Sequence, residues 1–214
     1  MALSKVDYNS LNVTAAASKA LLWNSAADGF ETGDVAGALV LLATETASSS
    51  ATVTFDSDID DTYDEYVFKF YNIHPATDVQ SLSFQVDTGT NTSYNQTITS
   101  TVFFAQHAED DSTTTLSYST GRDQAPGTSF QTITIDAGNA NDESVSGILH
   151  LFDPSNTTFV KHFIAVSNSP TNGTHAANMY AAGYFNTTSA IDEIQFKMDS
   201  GNIDSGDICL YGIK

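Results

Sequence analysis

The stretch SLSFQVD, Ser81 to Asp87, alternates without a break: Leu82, Phe84 and Val86 fall on one face, Ser81, Ser83 and Gln85 on the other. Strict period two marks a strand with one face in a core and one in water. The same period recurs on both sides of it. YVFKFYN groups Tyr66, Phe68 and Phe70, and EIQFKM groups Ile194, Phe196 and Met198. Further strands are expected over 38–45, 51–56, 97–105, 114–119, 130–136, 145–152, 158–167, 178–186 and 207–213. Clusters of Gly, Asn, Asp, Ser and Thr separate them, with no helical period and no fixed-length repeat between. Short strands between turn clusters predict an all-β fold, an antiparallel jelly-roll-like β-sandwich over residues 37–214.

Residues 1–36 read differently. TAAASKALLWN suits one short helix, with Thr14 as N-cap and Ala15 to Trp23 as helix formers, or an extended arm. SAADGFETGDVAG then reads as a linker. Leu21, Leu22, Trp23 and Phe30 would stay wet on a lone tail, so this segment is expected to anchor the chain to another subunit or protein.

Of 214 residues, 7 are Lys or Arg and 26 are Asp or Glu, a net charge of −19. That charge excludes nucleic-acid backbones and anionic lipid surfaces as partners. The single cysteine, Cys209, cannot form an intrachain disulfide and is expected as a small buried hydrophobe. MALSKVDYNS has no apolar core of a signal peptide, and no run approaches a membrane span, so membrane insertion is not expected.

DSDIDDTYDEYVFKFYNIHP, Asp56 to Pro75, poses the question of chemistry. Asp56, Asp58 and Asp60 start like a calcium loop, but the positions needing Gly and Glu hold Asp61 and Val67. The four aspartates are therefore expected exposed, without a metal. ILHLFDPSNTTFVKHF reads as a hairpin that sets His150 opposite His162. Two imidazoles there would suit zinc or copper, yet no third or fourth ligand is evident. A buried pair on the core face, with Ile148, Phe152, Val160 and Ile164, is the commoner arrangement. Leu149, Leu151, Phe159 and Phe163 make a second apolar face.

No nucleophile elbow, zinc-helix motif or phosphate loop is present, so no catalytic residues and no cofactor are assigned. Two connections read as long, QHAEDDSTTT running on through TGRDQAPGTS, and SNSPTNGTHAAN. Loops at a sandwich's ends carry recognition, so His107, Tyr118, Arg122 and His175 are the candidate partner contacts. Tyr118 and Tyr180 are the candidate sugar-stacking rings.

Several stretches together, LVLLATETASSSATVTF, TYDEYVFKFYNIHPATD, LHLFDPSNTTFVKHF and GYFNTTSAIDEIQFKMDSGNIDSGDICLYGIK, resemble a group of virion proteins from marine bacteriophages. LNVTAAASKALLWNSAADGFETGD is similar to the N-termini of phage fibre-like proteins. The resemblance implies a jelly-roll particle component without enzymatic activity, assembled in the host cytoplasm into the virion as a homotrimer among other virion proteins. It implies a tail-fibre or receptor-binding role toward a host-surface glycan or protein, with capsid decoration or a head fibre as the alternative. A soluble carbohydrate-binding module is the reading from outside that group.

Overall fold

The computed structural model describes residues 20–24, 26, 28–33, 39–171 and 174–213. They fall in two compact units, one within residues 1–38 and one over Leu39–Ile213.

In the first unit, β1 (Ala20–Trp23) and β2 (Phe30–Gly33) pair antiparallel, Trp23 opposite Phe30. This replaces both the last turn of the expected helix and part of the expected linker. Residues 14–19 and the expected 36/37 boundary lie outside the described residues. The reason is local pairing: the Trp23 and Phe30 rings stack at 4.5 Å, while the intervening loop closes through Asn24 N–H to Gly29 C=O. Cross-strand aromatic contact outweighs the small helix preference of the Ala-Leu run.

The second unit is an all-β antiparallel sandwich of unequal sheets. Its twelve strands are β3 (Val40–Ser50), β4 (Val53–Phe55), β5 (Glu65–Pro75), β6 (Leu82–Asp87), β7 (Ile98–Ala108), β8 (Thr114–Tyr118), β9 (Gln131–Thr132), β10 (Val145–Phe152), β11 (Lys161–Thr171), β12 (His175–Phe185), β13 (Glu193–Met198) and β14 (Ile203–Ile213). The large sheet has the order β3-β14-β5-β10-β11-β12-β7-β8, and the small one β4-β13-β6-β9. A strand falls within every expected stretch, although the one expected over 130–136 is only Gln131–Thr132 and the one expected over 158–167 begins at Lys161. The alternating residues explain the layering: Tyr66, Phe68, Phe70, Leu149, Leu151 and Phe163 face inward from the large sheet, Phe84, Ile194 and Phe196 from the small one. Phe68, Phe70 and Phe84 all pack on Phe196 with centroids 5.4–6.2 Å apart, mostly edge to face or tilted, the favoured geometry for aromatic pairs.

Two expectations for this unit change. Ser81, Ser83 and Gln85 are not wet; all three are buried. The 88–97 and 119–137 segments cover the small sheet's far face. They satisfy Ser81, through Asp136, and Gln85, whose amide donates to the Gln96, Thr128 and Ser129 carbonyls at 3.0–3.3 Å, while Ser83 donates to the Lys197 carbonyl on β13. Burial without an orphaned group is what lets a polar face sit under loops. The second long connection is mostly strand, and the first is strand at the end of β7 and the start of β8, while TGRDQAPGTS stays a loop. β7 and β12 run on to Ala108 and back from His175, leaving short turns. Thus His107 and His175 are strand residues, not loop residues.

Candidate binding face

The acidic stretch resolves first. Asp56, Asp58, Asp60 and Asp61 are exposed, while Ile59 between them is buried in the core. The Tyr66 hydroxyl accepts the Asp60 N–H at 2.9 Å and donates to Asp60 Oδ1 at 2.8 Å. This clasp folds the turn back on β5. The hydrogen bonds from Thr62 and Tyr66 hold the Asp60 carboxyl below its usual range. Burial above all pushes Tyr66 up to about 12. The stretch is a wet rim locked by one tyrosine. Among the described residues, no three of His, Cys, Asp and Glu converge as metal ligands.

The sequence candidates scatter. His107 lies on β7 with Nε2 3.1 Å from Asp111 Oδ1. His175 pairs with Ala108 on the neighbouring strand, so the two imidazoles point to opposite faces. Arg122 is bound at 2.7 Å to Asp136 and braces the loops over the small sheet. Tyr118 is half exposed on β8, and its hydroxyl donates to Asp123 at 2.7 Å. Trp23, Leu21 and Phe30 are exposed in the N-terminal hairpin, with Leu22 half-buried.

The histidine pair is corrected in register and in face. β10 and β11 pair two residues out of the expected frame, Phe152 opposite His162 and His150 opposite Ile164. Phe159 falls outside the strand and is 69% exposed; β11 begins only at Lys161. The histidines, with Ile148, Phe152 and Ile164, lie on the outer face of the large sheet. Leu149, Leu151 and Phe163 take the core side, because only that side meets the small sheet. His150 Nδ1 pairs with the Glu65 carboxylate. Cys209 is also on this outer face and half-buried, accepting from the Thr44 hydroxyl at 3.4 Å.

The register lines this outer face up in rows. One row crosses β10, β11, β12 and β7 as Phe152, His162, Tyr184 and Thr99. The next holds His150, Ile164, Ala182 and Thr101. A third runs Ile148, Val166, Tyr180, Phe103 and Tyr118. Leu116 follows on β8, 77% exposed. Phe103 and Tyr180 stack nearly parallel at 4.9 Å, and both keep more than a third of their surface in water. A sheet face with one polar side would not look like this.

No family model, no curated protein and no solved structure matches the chain.

Phe103, Phe152, His162 and Tyr184 were not singled out by sequence as contact residues. The signal was present in the spacing Tyr180, Ala182, Tyr184 and Thr99, Thr101, Phe103, two residues apart on strands that pair. Reading it requires the register, which turn composition alone did not fix between β10 and β11.

Proposed function

We propose that this chain is a non-enzymatic structural protein of a phage particle, whose sandwich serves host attachment in the manner of a tail fibre. Its N-terminal segment joins it to other virion proteins. One observation carries the reading: an acidic sandwich keeps a continuous aromatic and aliphatic face, Phe103, Tyr180, Tyr118, Leu116 and Ile164, open to solvent. Contiguous exposed apolar surface on a folded domain marks an interaction site. The exposed Trp23–Phe30 stack gives the N-terminal unit a contact surface of its own. The resemblance to marine phage virion proteins points the same way.

Immunogold labelling of intact particles tests the location, with label expected at the tail or fibre tips. Purified protein should compete with particles for adsorption to host cells. Label confined to the capsid shell would replace attachment with decoration, and absence from the particle would overturn the reading.

A further inference from the structure

We infer that the row Phe152–His162–Tyr184–Thr99, with the hollow beside it, is a binding site for a neutral sugar. This deepens the attachment reading by naming a ligand class, and rests on that reading only for the sugar's biological source.

The hollow follows from side-chain size. On β12 the outward residues are Tyr180, Ala182 and Tyr184, so a methyl group lies between two large rings. Around it lies a depression of about 520 Å³, walled by Phe152, His162, Ile164 and Tyr184. A second depression of about 530 Å³ shares Phe152 and His162 and continues past Asn156, Phe159 and Thr188. Each lies within the usual range for small-ligand sites. The floor is rigid. A Cβ on Gly183 would come 2.4 Å from the Thr99 carbonyl and 2.9 Å from the Phe163 ring, so strand and core are packed to contact there.

Unspent polar groups converge on the same hollow. Among the described residues, none provides a hydrogen-bond partner for the His162 imidazole, the Tyr184 hydroxyl or the Thr99 hydroxyl. Thr101 differs, reaching the Ala182 carbonyl at 3.4 Å. Ring surface edged by hydroxyl and imidazole hydrogen-bonding groups, with the Asp153 carboxylate at the second depression, matches a pyranose, which offers apolar C–H faces edged by hydroxyls. Charge selects within that class. No Lys or Arg lines either depression, and the molecule carries −19, so sialylated, sulfated or phosphorylated ligands are repelled. A peptide strand would add to a sheet edge, whereas β10, β11, β12 and β7 are interior strands of the large sheet.

The test is an array of neutral and of sialylated or sulfated oligosaccharides probed with the full chain. Signals should be confined to neutral glycans. His162→Ala should weaken them roughly tenfold, the loss expected when a ring and its hydrogen bond go together. Tyr184→Phe, which keeps the ring, should weaken them less. Tyr71→Ala, on β5 of the same face but outside the hollow, should leave them unchanged, with circular dichroism confirming the fold of all three. Equal binding of anionic glycans, no binding of any neutral one, or binding that survives His162→Ala would overturn the inference. A particle-borne protein silent on the array sinks the sugar site and leaves the attachment reading standing. A sugar-binding protein absent from particles does the reverse.

Discussion

Asp87 is fully buried, yet its two oxygens are met by four donors: the Thr88 and Tyr94 backbone N–H groups and the Asn91 and Gln96 amides, at 2.6–3.1 Å. Burial raises the carboxyl's pKa, and the hydrogen bonds outweigh it, leaving the group below its ordinary 3.8. A carboxyl lowered in the folded state stabilises above its unfolded pKa and loses that contribution as pH falls through the folded value. Asp60 shifts in the same direction. Urea midpoints should therefore hold down to about pH 5 and drop below about pH 4. Asp87→Ala should cost about 3 kcal/mol at neutral pH, through the unpaired donors it leaves, and should shallow the acid limb. A loss under about 0.5 kcal/mol would mean the 88–97 loop is held by something else. Val79 presents the opposite case. It is β-branched, 43% exposed and sits at φ 59°. Left-handed backbone strains such a residue by about 1–3 kcal/mol. Val79→Gly removes the strain at some cost in chain entropy. A net gain of about 1 kcal/mol in urea unfolding is expected.

At the scale of elements, period-two patterning was legible wherever a strand has large apolar residues on alternate positions, as in β5, β6 and β13. It failed where composition imitates a turn. The ends of β7, β11 and β12 contain Gln-His-Ala, Ser-Asn-Ser-Pro-Thr and His-Ala-Ala-Asn. They are strand because their neighbours keep the ladder going, and tertiary pairing overrides residue preference. The same gap hid the site: a two-residue error in the β10–β11 register moved His162 from beside His150 to beside Phe152. The N-terminal hairpin was missed for a related reason, since pairing Trp23 with Phe30 needs a loop that reads as a linker. That hairpin belongs to a different compact unit from the sandwich. A chain beginning at Gly37 should therefore melt within a few degrees of the full chain, while losing incorporation into particles. Incorporation that survives the truncation would show that the anchor lies in the sandwich.

For the whole molecule, the outer rows of the large sheet and the net charge oppose each other. Phe103, Tyr180, Tyr118 and Leu116 form an exposed patch reaching the β8 edge, on the far side of Tyr180 from the sugar hollow. Fully burying one such side chain contributes about 1.5–3 kcal/mol, so a few per subunit suffice to hold neighbours together. Part of the apolar excess is already covered within the chain: Val67, on the outer side of β5, is 1% exposed between Tyr211 and His150. The β8 patch has no such cover among the described residues. Against association stands the repulsion between subunits at −19. It acts over about 10 Å at 0.1 M salt and about 3 Å at 1 M, while apolar contact survives salt. Association through this patch should thus strengthen with ionic strength, from monomer toward the homotrimer that the resemblance implies, as read by light scattering at micromolar concentration. Leu116→Asp with Phe103→Asp should stay monomeric at both salts. Its melting temperature should fall only modestly, because Leu116 is 77% exposed and Phe103 gives up little beyond its stack on Tyr180. A wild-type monomer at high salt would place any trimer under the control of the particle, with the N-terminal unit supplying the contact that the sandwich face does not.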